Sequence, residues 1–351
     1  MCSNTNIMIF PTRSTMTLAE IAEYAHVSKG TVDRVIHHRT GVSERTRKLI
    51  ESIIEEYGYE LNPIATQLKT NKDFIIGVLL PPLEHGGGYY SALYKGLRKA
   101  EEDLKAFRVK LDFVFFDRTI PGEAYEKGKE LLSHKPDAFI TMPVVPQEFS
   151  DLIPLIGDIP YVFIDTPLGV TQPKLTIVQN PYKGGYCAGR IMKMMRGSGT
   201  FACIRMFQSA YNLRERVRGF TDFFANDSGS RIIDAICTDF SNTGIYTFME
   251  KLFSEHPDIS GIFIPHTEVH LASVYLINQG IKGNVTVIGY DLLPKNRDGL
   301  ADGSIDCILG QRPEDQGFDA VYKLYQMCIL HQEIPAQIDV PIDIYFRENI
   351  I

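Results

Sequence analysis

Four polar side chains stand directly after short, mostly apolar runs of the chain. Asp165 and Asp291 each end such a run, and His266 and Gln311 follow similar ones. Carboxylates accept hydrogen bonds from vicinal hydroxyls, and an amide offers both a donor and an acceptor, so this set suits a polyhydroxylated small molecule. The alternative is that each Asp only caps a helix or lies in a loop. The chain has no Trp, so Tyr or Phe must supply any aromatic face that covers a sugar ring.

A second chemistry lies near the N-terminus, where cationic side chains cluster. Between His26 and Ile50 there are Lys29, Arg34, Arg39, Arg45, Arg47 and Lys48, against the two acids Asp33 and Glu44. The next ten residues carry four Glu. One basic side and one acidic end are expected of a small domain that presents a single face to phosphates. The alternative is a small helical bundle that makes protein contacts.

Three N-capping side chains begin the elements that would hold this basic face: Thr17, Ser28 and Ser43. Thr17 is followed by Glu20 at the spacing of a capping box. The helices that follow Ser28 and Ser43 are expected at 29–36 and 44–57. Two short helices joined by a tight turn and braced by a third form a helix-turn-helix, whose second helix begins in the DNA major groove.

From Phe74 onward, β-branched or aromatic runs alternate with amphipathic helical stretches to the C-terminus. This alternation predicts an α/β body of βαβ units with parallel sheets. Ten candidate strands are a large number for one open sheet, so we expect two doubly wound sheets in two lobes with a cleft between them. Ligands of such sheets bind at the carboxyl ends of the strands.

Composition narrows the class of protein further. The chain has 351 residues, a formal charge of −7 and six Cys without a C-x-x-C pair. No apolar run reaches the ~18 residues of a membrane span, and residues 1–16 form an irregular lead-in without a secretory signal. We therefore expect a cytoplasmic protein without membrane association. No motif indicates a catalytic residue, a metal ligand set or a cofactor, and His266 with His270 lacks the H-E-x-x-H pattern.

The run from Thr17 to Ile36, TLAEIAEYAHVSKGTVDRVI, resembles the opening of LacI/GalR-type transcriptional regulators. The resemblance continues through Gly41–Arg47 and Tyr57–Tyr59. It departs at Asp33, where the family has Ser, and at Gly30, where the family usually has a base-reading side chain. The resemblance implies base-reading positions at Lys29, Gly30 and Arg34. It further implies contacts to DNA phosphates by Ser28, Thr31, His37, Ser43 and Thr46, and Thr17 is a further expected DNA-binding residue.

Residues 62–70, NPIATQLKT, resemble the hinge of the same family, with the Pro displaced by one position. In that family the hinge folds on operator DNA and its Leu enters the minor groove, where apolar wedges unstack a base step. Ala65 and Leu68 are the matching residues. The alternative is an ordinary linker.

The body, residues 74–351, resembles the type I periplasmic sugar-binding fold. Arg216 lies in a segment similar to the family's R-x-R-x-x-G-[FW] helix start, and Tyr90 stands where sugar-binding relatives have an aromatic. The resemblance implies six effector contacts: Tyr90, Asp165, Arg216, His266, Asp291 and Gln311. Relatives usually carry Asn-Asp where this chain has His266-Thr267. The alternative for Arg216 is an ion pair with a neighbouring acid.

These observations predict a ligand-responsive, sequence-specific DNA-binding regulator, a repressor, that is not an enzyme. Its partners would be double-stranded operator DNA, a sugar or sugar derivative and a second copy of itself. Two alternatives stay open: a stand-alone solute-binding protein and an α/β enzyme acting on a sugar or nucleotide. The expected organisation is a lead-in at 1–16, a head at 17–60, a hinge at 61–73, lobe 1 at about 74–177 and 307–335, and lobe 2 at about 178–306 and 336–351.

Overall fold

The structure, a computed structural model, describes residues 16–59, 72–84, 88–169, 171–205, 210–239 and 241–350. The chain divides into two compact units, Met1–Lys72 and Asp73–Ile351. The predicted hinge contacts Ala65 and Leu68 and nearly all of the predicted lead-in lie outside the described residues. No helix in the described parts of the chain has the length and apolar character needed to span a bilayer.

The first unit contains three helices, α1 (Leu18–Tyr24), α2 (Lys29–Ile36) and α3 (Glu44–Tyr57). Each begins where its capping side chain predicts, since the oxygens of Thr17, Ser28 and Ser43 accept hydrogen bonds from backbone amides in the first turn. The predicted bounds of α2 and α3 are confirmed. The apolar stripes of the helices meet in one small core made of Ile21, Ala22, Ala25, Val32, Val35, Ile50 and Ile53.

Two six-stranded sheets form the second unit within the described residues, as the alternating pattern predicts. The first sheet has the order β11-β5-β4-β3-β1-β2 and is parallel throughout. Its strands are β1 (Phe74–Leu80), β2 (Val109–Phe115), β3 (Ala138–Thr141), β4 (Tyr161–Ile164), β5 (Leu175–Val178) and β11 (Gln337–Asp339).

The second sheet has the order β12-β10-β9-β8-β6-β7, and only the edge strand β12 runs antiparallel to its neighbour. Its strands are β6 (Thr200–Arg205), β7 (Arg231–Ile236), β8 (Ile259–Ile264), β9 (Thr286–Tyr290), β10 (Cys307–Gly310) and β12 (Asp343–Tyr345). The central strands of both sheets are buried on both faces, which explains their continuous apolar runs.

Helices cover both faces of each sheet. Lobe 1 is the first sheet with α4 (Tyr89–Asp103), α5 (Glu123–Ser133), α6 (Pro146–Ile156) and α12 (Pro313–Cys328). Lobe 2 is the second sheet with α7 (Pro181–Arg196), α8 (Tyr211–Phe223), α9 (Asn242–Glu255), α10 (Val269–Asn278) and α11 (Pro294–Asp302). Each lobe has one apolar core on either side of its sheet, so the predicted two-lobed, doubly wound class is confirmed.

The structure differs from the predicted lobes in two places. Residues 307–310, predicted in lobe 1, form a strand that pairs with β9 in lobe 2, and residues 337–339, predicted in lobe 2, form a strand that pairs with β5 in lobe 1. The chain crosses between the sheets three times, after β5, after β10 and after β11. Gln179 holds these crossings together, because its Nε2 donates to the carbonyl of Gly310 at 2.8 Å and to that of Pro341 at 2.9 Å.

A close approach of α7 and α8 depends on glycine. A Cβ at Gly185 would lie 1.8 Å from the backbone oxygen of Arg216, a distance no atom pair tolerates. We therefore expect Gly185→Ala to lower the free energy of unfolding by about 1–3 kcal/mol, as overpacking does. Denaturant titration followed by circular dichroism would measure the loss. Gly283→Ala is the matched control, since no heavy atom lies within 4 Å of its Cβ position, and an equal loss there would contradict the argument.

Candidate functional site

The two lobes present equivalent carboxylates at the carboxyl ends of their sheets. Asp165 follows β4 and Asp291 follows β9, and each has a φ of 64°. The backbone N–H of Asp165 donates to the oxygen of Ile177 at 2.8 Å, and that of Asp291 donates to Leu309 at 2.7 Å. Asp is among the few residues that enter this left-handed region, at a cost of about 1–3 kcal/mol. The repeated strain indicates that both lobes aim a carboxylate in the same way.

Both carboxylates line a single cavity of about 660 Å³ between the lobes. The structure brings together all six side chains that the sequence predicts as effector contacts, since Tyr90, Arg216, His266 and Gln311 also line this cavity. Their contact with a ligand stays a prediction. Other polar lining residues are Glu84, Tyr89, Arg118, Thr119, Thr166, Tyr211, Asn212, Ser241, Asn242, Thr267, Glu268, His270 and Lys295.

A buried network in lobe 2 fixes the arginine of the cavity. Arg216 in α8 donates to the carbonyl of Pro265 and to Oε1 of Gln311, both at 2.9 Å. Gln311 in turn donates from Nε2 to Oδ2 of Asp291 at 3.0 Å. The guanidinium stacks 3.7 Å above the ring of Tyr290. These contacts leave Arg216 one orientation, so it is a rigid donor and does not form the simple ion pair with a neighbouring acid that was the alternative.

Two buried atoms of this network are available to a ligand. Neither Oδ1 of Asp291 nor Nε of Arg216 has a hydrogen-bond partner within the part of the chain that the structure describes. Leaving buried polar atoms unsatisfied costs about 1–3 kcal/mol each. A ligand hydroxyl both donates and accepts, so a polyol can satisfy the acceptor and the donor together.

Burial shifts the titration of both carboxylates. It raises the pKa of Asp291 from 3.8 to about 6, although the charge of Arg216 and the hydrogen bond from Gln311 oppose the shift. Burial likewise raises the pKa of Asp165, against the attraction of Arg216. The cleft therefore holds carboxylates whose charged form is poorly solvated, and hydroxyl donors from a ligand would stabilise that form.

Aromatic rings form the lobe 1 wall beside Asp165. The buried rings of Tyr89 and Tyr90 at the start of α4 meet edge to face, with centroids 5.6 Å apart. Burial raises the pKa of both phenols, so each stays protonated at neutral pH. Two Tyr rings therefore form the aromatic surface that the sequence, which has no Trp, assigns to Tyr or Phe. Tyr90 was predicted for this role, and Tyr89 was not.

His266 contacts a further acid of the cleft, Glu268. Its Nδ1 lies 3.0 Å from Oε2 of Glu268, which also accepts from the hydroxyl of Thr267 at 2.8 Å. Although burial raises the pKa of Glu268, the hydrogen bond and charge of His266 lower it on balance. No group of three or more potential metal ligands occurs among the described residues. His266, Thr267 and Glu268 therefore form a hydrogen-bonded group on the wall of the cleft.

Several cleft residues were missed by sequence reasoning. Tyr89 precedes Tyr90, and the same strand-end rule would have found it. Glu268 was not among the predicted contacts, but it precedes α10, which begins at Val269, and it lines the cavity. Asn212 and Tyr290 have no local signal, since the contact of Asn212 is with Asp165, which is 47 positions away.

The head presents the predicted base-reading positions at its surface. Lys29, Gly30 and Arg34 are all exposed on α2, and its buried face is made by Val32 and Val35. Four of the residues predicted to contact phosphates form two capping pairs. The hydroxyls of Ser28 and Thr31 are 2.9 Å apart and those of Ser43 and Thr46 are 2.8 Å apart. Thr17 closes the capping box with Glu20. Contact with DNA stays a prediction for each.

The unusual Asp33 is compensated within the head. Its Oδ2 accepts from Nη1 of Arg39 at 3.3 Å, and its Oδ1 lies 3.5 Å from Nε2 of His37. Arg39 is held from the other side, because its carbonyl accepts from Arg47 at 2.8 Å. The carboxylate near the expected DNA face is therefore paired with the cation of Arg39, which reduces its repulsion of phosphates.

Comparison with known proteins agrees with both units. The model of a periplasmic binding protein domain matches residues 76–332, and the model of bacterial regulatory proteins of the lacI family matches residues 17–62. The chain is 23% identical to the ribose operon repressor of Lactococcus lactis over 344 residues, 95% of this chain and 98% of that protein.

Two solved structures have the same fold. GanP, a glucose-galactose binding protein from Geobacillus stearothermophilus, superposes with a TM-score of 0.70 at 23% identity, over 79% of this chain and 99% of that one. The lac repressor dimer, solved bound to operator and an anti-inducer, superposes with a TM-score of 0.66 at 19% identity, over 94% of this chain and 98% of that one.

Proposed function

The chain belongs to the lacI family of bacterial regulatory proteins and carries a periplasmic binding protein domain, and from this premise we propose that it is a sugar-responsive repressor of transcription. The head binds operator DNA, and the cleft binds the effector. The protein acts in the cytoplasm, where its DNA lies. The family consists of regulators and not of enzymes, in line with the sequence prediction.

The pairing of Asp165 and Asp291 across one cavity is the observation that carries the sugar assignment. Each carboxylate comes from a different lobe, and Arg216 adds a fixed donor beside Tyr rings. Hydroxyls around a pyranose or furanose ring donate to carboxylates, and the ring's apolar face packs on aromatic side chains. The relative named as a ribose repressor and the fold neighbour named for glucose and galactose support the same chemical class.

A homodimer would place two heads on a near-palindromic operator, since half-site spacing requires paired heads. The lac repressor neighbour is a dimer on its operator, which supports this arrangement. Exposed apolar side chains on α9 and α10 offer a surface for it, with Val274 51% and Ile277 50% exposed beside Tyr246.

Regulation follows if the sugar prefers one arrangement of the lobes. A ligand shifts an equilibrium only by its difference in affinity for the two states. Because side chains of both lobes line the cleft, a sugar that contacts both stabilises the closed arrangement. The state of the lobes would then be transmitted through residues 61–73 to the heads.

A gel-shift assay with the full-length protein tests the proposal. At low ionic strength the protein should slow the migration of at least one genomic fragment. A panel of D-ribose, D-glucose and D-galactose should change the fraction of that fragment that is shifted. A thermal-shift screen with the same sugars identifies the ligand independently. Sugar binding without DNA binding would support a stand-alone solute-binding protein, and turnover of a sugar would support an enzyme. Either result would overturn the proposal.

Effector affinity should depend on pH through Asp291. Hydroxyl donors bind the charged carboxylate, and with a pKa of about 6 the charged fraction falls about tenfold between pH 7 and pH 5. Calorimetric titration of the binding sugar should therefore show about tenfold weaker binding at pH 5. Asp291→Asn removes this titrating group, so the affinity that remains should depend less on pH over this range than that of the natural protein, with Asp165 as a second buried carboxylate that can still titrate. Equal affinity of the natural protein at both pH values would contradict the prediction.

A further inference from the structure

Asn212 connects the two lobes directly across the mouth of the cleft. It lies in the first turn of α8, in lobe 2, and its Nδ2 donates to Oδ2 of Asp165 in lobe 1 at 2.7 Å. The same amide nitrogen lies 3.3 Å from the carbonyl oxygen of Asp165 and 3.4 Å from the hydroxyl of Thr166. A short bond to a carboxylate is the strong kind of hydrogen bond.

The ordinary roles of an Asn at a helix start do not explain this side chain. The N-cap of α8 is Ala210, and α8 has no side-chain capping hydrogen bond. The Oδ1 of Asn212 is buried and has no hydrogen-bond partner in the described ranges of the chain. The amide therefore contributes nothing to its own helix through a hydrogen bond, while it makes three polar approaches to the opposite lobe.

The position of the contact between Asn212 and Asp165 means that the lobes cannot separate without breaking it. Gln179 binds the crossings of the chain between the sheets, where the two lobes are joined. Asn212 and Asp165 instead line the cavity itself, where opening must separate lobe from lobe. Asp165 is held by its backbone bond to Ile177, so it cannot follow α8 when the lobes part.

We propose that Asn212 is a clasp that holds the lobes together before the effector binds and so sets the affinity for it. The effect on lobe closure stands by itself, whereas the effect on sugar affinity rests on the proposed function. A hydrogen bond to a charged group shifts an equilibrium by about tenfold or more, so losing it opens the empty cleft and weakens binding of the sugar by a similar factor.

Hydrogen exchange of the full-length protein without sugar or DNA tests the clasp. Asn212→Ala should accelerate amide exchange about tenfold in the two lips of the cleft, 142–146 and 265–271. Asn212→Asp should accelerate it more, because it sets a second carboxylate beside Asp165. The control is Asn242→Ala, the same substitution at an exposed Asn of the same cavity, which should leave exchange unchanged. Unchanged exchange in both Asn212 variants would overturn the proposal.

A double-mutant cycle separates the clasp from general damage to α8. If Asn212 acts through Asp165, adding Asp165→Asn to Asn212→Ala should produce no further increase in exchange at the lips. Additive increases would overturn the proposal. The exchange measurements contain no sugar, so a failure of D-ribose, D-glucose and D-galactose to bind would count against the proposed function and leave the clasp testable. Where one of them binds, Asn212→Ala should raise its Kd about tenfold, and an unchanged Kd would refute the role in affinity.

Discussion

The Asp291→Asn substitution is expected to make the protein more stable while removing its response to effector. The folded protein raises the pKa of this carboxyl from 3.8 to about 6, so it holds the proton more tightly than the unfolded chain does. Stability of the natural protein therefore falls as the pH rises from about 4 to 6 and stays lower above 6. At pH 7 the neutral Asn avoids a penalty on the order of 2–3 kcal/mol.

Function should change in the opposite direction. The unsatisfied Oδ1 of Asp291 is the acceptor that we assign to a ligand hydroxyl, and an amide in its place binds that hydroxyl without a charge. Hydrogen bonds to charged groups are about twice as strong as those to neutral groups. The affinity for the sugar should therefore fall by at least tenfold and up to about 100-fold. The operator complex should then persist at sugar concentrations that act on the natural protein.

Denaturant titration at pH 7 and pH 4, together with a thermal-shift assay of the sugars, would measure both effects. The stability gain should shrink towards zero at pH 4, because both proteins are then neutral at this position. Asp306→Asn is the matched control, since that carboxylate is satisfied by Lys282 at 2.8 Å and by the amide of Val287 at 2.7 Å. It should destabilise the protein. A loss of stability in Asp291→Asn at pH 7 would show that the network of Arg216 needs the charge.

The Arg34→Ala substitution is expected to weaken operator binding by about 10- to 100-fold while leaving sugar-induced stabilisation intact. Arg34 is exposed on the outer face of α2 and contributes nothing to the core of the head. A guanidinium bonded to a base edge supplies about 1–3 kcal/mol of discrimination. Loss of that contact lowers affinity for the operator more than affinity for unrelated DNA, which loses only the contribution of one positive charge.

Fluorescence anisotropy with a retained genomic duplex and a scrambled duplex of equal length would measure the discrimination. Lys48→Ala is the matched control, because it also removes one exposed positive charge from the basic cluster but lies on α3. It should weaken both duplexes by a similar small factor. If Arg34→Ala weakened operator and scrambled duplex equally, the side chain would contact only the phosphate backbone.

The head could be predicted from sequence almost to the residue because its signals are local. Ser28 and Ser43 cap the helices that follow them, and a cap acts within one turn. The apolar positions of α2 and α3 repeat at helical spacing and bury against each other. The compensation of Asp33 by Arg39 was not predicted, since it depends on how the turn after α2 folds back.

The lobe assignments were predicted less well, and the reason is the range of the interactions. Strands as short as 337–339 and 307–310 carry no sequence feature that belongs to one sheet, and only the partner strand decides where each lies. The prediction therefore placed each of these two strand segments in the wrong lobe. The edge strands β11 and β12 were not predicted as strands, because a segment of three residues is too short to have a local strand signal.

The sequence alone determined that this protein has a capped helical head, an α/β body and polar side chains at the carboxyl ends of its strands, because helix caps, periodicity and strand ends are written in neighbouring residues. Only the tertiary structure decided that Asp165 and Asp291 share one cavity, that Tyr290 stacks on Arg216 and that Asn212 reaches the opposite lobe. Such contacts join residues tens of positions apart, and their geometry depends on how two sheets face each other, which no local pattern encodes.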